Sequence, residues 1–314
     1  MARRKRNSAK KVISFIVLLL VLIASALAYF RPDLLGQEPP ADDNTPPTPP
    51  PVTQGASMQV HVIDVGQGDA ILLTAPGGNI LIDAGDNVSR YEQALKNYLD
   101  GLGIKRLDYF ILTHPDADHI GGADMILKNY EVGTVIMPDK PHTTKVYEAV
   151  LDALEANGAD LELAEAGTTF SLGELTCKIL APLKIYSDTN DCSVVLRATF
   201  GSVSMMFTGD AEGNAEGQAE KDILKQYPAS ELKCDFLKVG HHGSDTSTSP
   251  AFLEAVSPKL AAISCGEGNK YGHPVQSILD ALRAAGVTVY RTDESGTLVF
   301  VCDGKTIEYR QQAQ

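Results

Sequence analysis

The chain has 314 residues, 44% of them apolar, with 27 Lys and Arg against 40 Asp and Glu and a net charge of −13. That supplies apolar residues for a buried core and excludes a polar, low-complexity chain. With no Trp and 6% aromatic residues, the acidic surface is a poor footprint for tight nucleic-acid binding, so an anionic substrate needs cations held at its site.

The amino end, Met1 to Lys11, holds six basic residues (Arg3, Arg4, Lys5, Arg6, Lys10, Lys11) and no acid. Removing these six from −13 leaves −19 for the remainder. Nineteen uncharged residues follow, Val12 to Phe30, long enough to span a bilayer as one transmembrane helix. The basic flank predicts a cytoplasmic amino end and a single-pass cell-membrane protein with its bulk outside. A cleaved signal peptide competes with the anchor, because Ala24-Ser25-Ala26 and Ala26-Leu27-Ala28 are small-x-small sites. Cleavage would make the protein secreted. Residues 31–57 carry eight of the seventeen prolines, which predicts an extended, semi-rigid stalk. Residues 58–314 form the globular remainder. Its five cysteines (Cys177, Cys192, Cys234, Cys265, Cys302) form no Cys-x-x-Cys pair, which predicts free, buried thiols.

Periodicity predicts strands over Met58 to Val65, Ala70 to Thr74 and Asn79 to Ile82, then a helix over Ser89 to Leu99 capped by Ser89. The apolar run Tyr109 to Leu112 predicts a buried strand entering a polar loop. Strand Val132 to Met137, helix Thr143 to Asn157 and strand Asp160 to Ala164 follow. Strands over Leu175 to Leu180, Val194 to Phe200 and Val203 to Phe207 lead to a helix over Glu212 to Tyr227. The last third alternates Phe236 to Val239, Leu260 to Ser264, helix Val275 to Ala285, Val287 to Tyr290, Thr297 to Val301 and Thr306 to Tyr309. Strand pairs in both halves with helices between them predict an α/β fold of two sheets flanked by helices.

The densest chemistry lies in Thr113-His114-Pro115-Asp116-Ala117-Asp118-His119-Ile120-Gly121-Gly122. Extended backbone puts His114 and Asp116 on one side, and a helix start can aim Asp118 and His119 at the same point. Imidazole and carboxylate at this density suit one or two divalent cations. An N-capped loop would need one Asp and no histidine. Lys238-Val239-Gly240-His241-His242-Gly243-Ser244 places two more histidines at a strand end. Adjacent side chains leave a strand on opposite faces, so one histidine is expected to ligate while its neighbour meets substrate or supports the site. Ser244 has no Gly-x-Ser-x-Gly elbow, which argues against a serine hydrolase. In Asn269 to Pro274, His273 suits proton transfer to a leaving group or phosphate contact, and Lys270 suits an anion. Asp64 and Asp83 stand at or near strand ends and are expected to support the site or the local structure rather than ligate.

His114-x-Asp116-x-Asp118-His119 resembles the metal motif of the metallo-β-lactamase superfamily, with Asp116 where the usual form has His. In that variant, and in Asp64-Val65-Gly66-Gln67-Gly68-Asp69-Ala70 and His241-His242-Gly243-Ser244, it resembles the soluble hydrolase domain of ComEC-type competence proteins, over residues 58–303. The resemblance implies an αββα sandwich with its site on loops along one edge of the sheets. It also implies that Asp210, in Met206-Phe207-Thr208-Gly209-Asp210, bridges two metals. Asn190 and Ser193 stand in the loop where many members supply a third histidine.

The implied ligand set is His114, Asp116, Asp118, His119, Asp210 and one of His241 and His242. Asp118 and His273 are expected to serve the chemistry. Two divalent cations so held would draw hydroxide from water near neutral pH and clamp a phosphoryl oxygen. A carboxylate at Asp116 hardens the site, which favours Mn²⁺ or Mg²⁺ relative to Zn²⁺. The expected activity is metal-dependent hydrolysis of a phosphodiester, with weakly held DNA as substrate in the ComEC-type pattern. A phosphodiesterase on phosphorylcholine-type or teichoic-acid envelope groups and a non-catalytic surface binding module are the alternatives. The sequence names no protein partner.

Overall fold

The computed structural model describes residues 56–214 and 216–310. The predicted membrane segment and the stalk up to residue 55 lie outside the described residues. Among the described residues no helix is long and apolar enough to cross a membrane.

Two sheets make the fold. The first contains β1 (Met58–Val62), β2 (Ile71–Ala75), β3 (Gly78–Ile82), β4 (Arg106–Ile111), β5 (Glu131–Met137) and β6 (Asp160–Leu163), with β14 (Leu298–Cys302) and β15 (Ile307–Arg310). Its order is β15-β14-β1-β2-β3-β4-β5-β6. The second contains β7 (Thr169–Leu172), β8 (Leu175–Ala181), β9 (Val195–Phe200), β10 (Val203–Phe207), β11 (Phe236–Lys238), β12 (Leu260–Ile263) and β13 (Thr288–Arg291), in the order β13-β12-β11-β10-β9-β8-β7. β3 through β6 are parallel, as are β10 through β13.

Strand alternation builds three apolar layers. Between the sheets, Val60, Val62, Ile80, Ile82 and Ile111 pack with Ile179, Ala198, Phe200, Phe207 and Phe236. The opposite face of the first sheet, including Leu81, Leu107 and Phe110, packs with Leu95, Ile126, Val150 and Leu154 from helices Ser89–Gly101, Ala123–Asn129 and Lys145–Asn157. The opposite face of the second, including Met206 and Leu237, packs with Ile223, Phe252 and Leu282 from helices Ala219–Gln226, Pro250–Val256 and Gln276–Ala284. The order helix, sheet, sheet, helix matches the expected sandwich. All five cysteines are buried and unpaired.

Three local expectations are corrected. Val88, without a side-chain cap, precedes the helix that Ser89 was expected to cap. Thr144, rather than Thr143, opens the next long helix, accepting the Tyr147 N–H at its Oγ1. The expected helix over Glu212 to Tyr227 begins only at Ala219, because the Asp191 carboxylate accepts the N–H groups of Glu212, Gln218 and Ala219. That side chain satisfies N-terminal donors and leaves Glu212 outside the helix.

The parallel strands position the site. β3 and β4 in the first sheet, and β10, β11 and β12 in the second, deliver their carboxyl ends to one edge of the sandwich. Open parallel sheets commonly bind ligands there.

Candidate metal centre

Asp83 organises the first half. Fully buried, with φ of 57°, it accepts the Thr113 N–H at Oδ1 (2.8 Å) and the Thr113 hydroxyl at Oδ2 (2.6 Å). The same Oδ2 lies 2.7 Å from His119 Nδ1. A carboxylate at Nδ1 fixes the imidazole and leaves Nε2 as its working atom. His114 Nδ1 lies 3.1 Å from the Thr113 hydroxyl and 3.3 Å from that of Ser193. Ser193 Oγ also accepts the Asp210 N–H at 3.1 Å, tying the two sheets' loops together. Gly121 permits this packing, since a Cβ there would lie 2.1 Å from the Asn87 nitrogen.

Asp210 sits at the centre. Its Oδ1 is 3.3 Å from His119 Nε2, and its Oδ2 is 3.6 Å from both His241 Nε2 and His242 Nε2. His242 Nε2 also lies 3.4 Å from Asp118 Oδ2. The two adjacent histidines therefore do not leave a strand on opposite faces. They form a turn beyond β11 with φ of 48° and 54°, and both rings reach Asp210.

Their Nδ1 atoms are held differently. His241 Nδ1 faces Glu212 Oε1 at 3.1 Å and Thr246 Oγ1 at 3.0 Å. His242 Nδ1 faces the Ser264 carbonyl at 3.0 Å and Asp69 Oδ1 at 3.4 Å. Behind His242, Lys238 Nζ pairs with Asp69 Oδ2 at 2.8 Å, with both side chains buried.

The donor set fits divalent metal. His114 Nε2, His119 Nε2, His242 Nε2 and Asp210 Oδ1 are buried without a hydrogen-bond partner, an arrangement that costs free energy unless something occupies the space between them. His114, His119 and Asp210 offer ligand atoms within 4.8 Å of one another, as do Asp118, His119 and His242. Asp69 and Asp83 also fall in such groups, but Lys238 and Thr113 engage them. His242 joins such groups and His241 joins none, so His242 is the better placed of the two by these distances. Asp116 joins none either. Its side chain is 38% exposed, with Oδ2 4.0 Å from His114 Nε2, at the rim.

Charge is distributed accordingly. Burial alone would keep these imidazoles neutral, and at His114 burial and neighbouring His119 lower the pKa to about 4. Burial opposes protonation of His119 too, but Asp210 and Asp83 outweigh it and hold its pKa well above the usual value. At His242 burial is overcome by Asp210 and by the neighbouring Asp118 and Asp69 carboxylates, raising the pKa to about 9. Burial pushes Asp210 up, yet His119 and His242 bring it well below the ordinary carboxylate range. Asp118 behaves alike, at about 2. The carboxylate cluster thus draws in positive charge, the demand that divalent cations would meet.

The remaining predicted residues spread around this core. Asn190 Nδ2 donates to Glu212 Oε1 at 3.3 Å. Ser244 Oγ lies 3.0 Å from Thr246 Oγ1, and so supports His241 indirectly. His273 packs its ring 5.7 Å from that of His241. Lys270 is exposed, with Nζ 5.0 Å from the centre of the Tyr271 ring. Asp64 is exposed and accepts the Gly66 N–H at 3.0 Å, closing a turn, the structural one of its two expected roles. Sequence reading missed Asp69, Lys238 and Glu212. A lysine inside the apolar run Phe236-Leu237-Lys238-Val239 was the available signal, because a buried ammonium demands a carboxylate.

Residues 63–267 match the family model of the metallo-beta-lactamase superfamily. The chain is 35% identical over 259 residues to ComE operon protein 3 of Bacillus subtilis (strain 168), covering 77% of this chain and 33% of that protein. It is 32% identical over 245 residues to competence protein ComA of Neisseria gonorrhoeae, covering 77% and 32%. It spans about a third of the length of these relatives. Among solved structures it resembles the metallo-beta-lactamase fold protein YhfI from Bacillus subtilis, with a TM-score of 0.52 at 16% identity over 78% of this chain and all of that one.

Proposed function

Since the chain belongs to the metallo-β-lactamase superfamily and is a metal-dependent hydrolase related to competence proteins, we propose that it hydrolyses phosphodiesters, DNA among them, outside the cytoplasmic membrane. The observation that carries the catalytic reading is the convergence of three buried imidazole nitrogens and one carboxylate oxygen without partners. His114 and Asp210 would hold one cation, with Asp116 at its rim, and Asp118, His119 and His242 a second, since the single free nitrogen of His119 can serve only one of them. Bound there, divalent cations supply Lewis acidity and an activated water at neutral pH.

The chain's own residues do the rest. Glu212 fixes Nδ1 of His241, so Nε2, beside Asp210, is the atom that takes or returns a proton. His273 stands next to it with an unpartnered Nδ1, on the side assigned to the leaving group. Lys238 and Asp69 hold His242 from behind. An anionic diester suits such a site better than a neutral amide does, and the acidic surface implies that DNA is held weakly, with steep loss of binding in salt.

The test is an activity screen of the metal-stripped protein reloaded with Mn²⁺, Mg²⁺ or Zn²⁺, on DNA and on small phosphodiesters, with Asp118→Ala as control. Turnover of small esters with DNA intact supports an envelope phosphodiesterase. No turnover of any diester with metals bound supports a binding module. The outward, membrane-tethered placement rests on the basic amino end and the nineteen uncharged residues after it. Protease added to intact cells should release a soluble fragment starting within residues 31–57, and protection until lysis would refute that orientation.

A further inference from the structure

The segment 264–275, between β12 and helix Gln276–Ala284, borders the metal centre and is held in one shape. Asn269 Oδ1 accepts the N–H groups of Tyr271 (3.2 Å) and His273 (3.1 Å), while its Nδ2 donates to the carbonyls of Gly266 (2.9 Å) and His273 (2.6 Å). Gly266 in turn donates its N–H to Gln67 Oε1 at 3.2 Å, and a Cβ on Gly266 would lie 2.8 Å from the Gln67 nitrogen. The Asp64-to-Ala70 motif therefore backs this segment.

On that support stands Tyr271, 56% exposed, more than any other large apolar side chain among the described residues. An exposed tyrosine alone signifies little. This one leads inward by two ring-to-ring steps of 5.7 Å, first to His273 and then to His241, whose Nε2 is 3.6 Å from Asp210. Along the way, His273 Nδ1 is buried without a partner. Lys270 adds a cation beside the ring.

We propose that Tyr271, with Lys270 beside it, is a base-stacking platform for a single-stranded polynucleotide whose backbone enters the metal centre past His273. This rests on the phosphodiesterase reading of that centre. A duplex hides its base faces, whereas every unpaired base offers one to an aromatic ring. A tyrosine whose backbone is held by Asn269 and whose ring already stacks on His273 loses little freedom on stacking. On a chain with 40 acidic against 27 basic residues, one stack and one ammonium beside the metal centre are a local means of holding a strand.

Because the chain has no Trp, Tyr271→Trp in the full-length protein gives a single indole reporter. Its emission should be quenched by a single-stranded oligonucleotide and not by an abasic strand of equal length. Tyr271→Ala should weaken binding of the base-containing strand by roughly 5- to 100-fold, the worth of one stack, with Tyr271→Phe near wild type and abasic binding unchanged in both. Equal response to the two strands, or undiminished binding by Tyr271→Ala, overturns the platform. The quenching result decides it whether or not any diester is cut, while failure of the wild type to cut every diester overturns only the catalytic reading.

Discussion

Lys238 Nζ, at the end of β11 in the second sheet, lies 2.8 Å from Asp69 Oδ2 in the loop that leads into β2 of the first, and both side chains are buried. The other Asp69 oxygen faces His242, so this buried ion pair supports a metal-facing imidazole. Removing one partner strands a buried charge. Lys238→Met should cost about 3–5 kcal/mol, read by chemical denaturation. The double variant Lys238→Met, Asp69→Asn should recover much of that loss. Simple additivity of the two single costs would show that the pair is not coupled.

Asp83→Ala should free His119 to rotate and leave the buried Thr113 N–H unpaired. Titration calorimetry with Mn²⁺ should show metal affinity lower by about 10- to 100-fold. Stability should fall by about 1–3 kcal/mol from the orphaned donor. Unchanged affinity would mean that Asp83 serves the fold alone.

Metal choice should follow the ligand chemistry. Mn²⁺ should restore more activity than Zn²⁺ to the stripped wild type, and Asp116→His should shift that ratio toward Zn²⁺. Asp210→Ala should abolish activity and lower the number of metals bound. Full activity without Asp210 would remove it from the centre.

Glu220 is nearly inaccessible and accepts the N–H groups of Thr248 (2.6 Å) and Ser249 (2.9 Å) in the segment after His242. Burial raises its pKa from 4.5 to about 7 despite hydrogen bonds that favour the anion. The folded state thus holds this proton more tightly than the unfolded chain. Its contribution is complete below pH 4.5 and is lost as pH rises through about 7, a change on the order of 3 kcal/mol. Denaturation at stepped pH should show the decline in the wild type and a flatter profile for Glu220→Gln. Identical slopes would refute the assignment.

The metal loop was legible because four ligand-type residues crowd six positions between a strand and a helix start. The two-sheet layering followed from strand pairs that alternate with helices. Asp210 was legible only through family resemblance, since one Asp after a Gly ordinarily marks a turn. What escaped depended on contacts distant in sequence. Nothing near Gln218 reveals that Asp191 caps the helix starting at Ala219, and local periodicity runs on through Glu212. Likewise, an apolar run ending in His241-His242 reads as strand, whereas left-handed backbone turns both rings toward Asp210.

That Asp210 and His242 follow strands of one sheet, while His114, Asp118 and His119 follow a strand of the other, makes ion occupancy a term in the folding equilibrium. A cation held by residues of both sheets would clasp two layers otherwise joined by apolar contact and by crossings such as Ser193 to His114. Ligand held only by the native state stabilises it by about 2.7 kcal/mol at a hundredfold excess over Kd. The melting temperature should therefore rise with free cation. Chelation should loosen this edge of the sandwich before its interior, so that protease resistance would register metal supply even where no substrate is present.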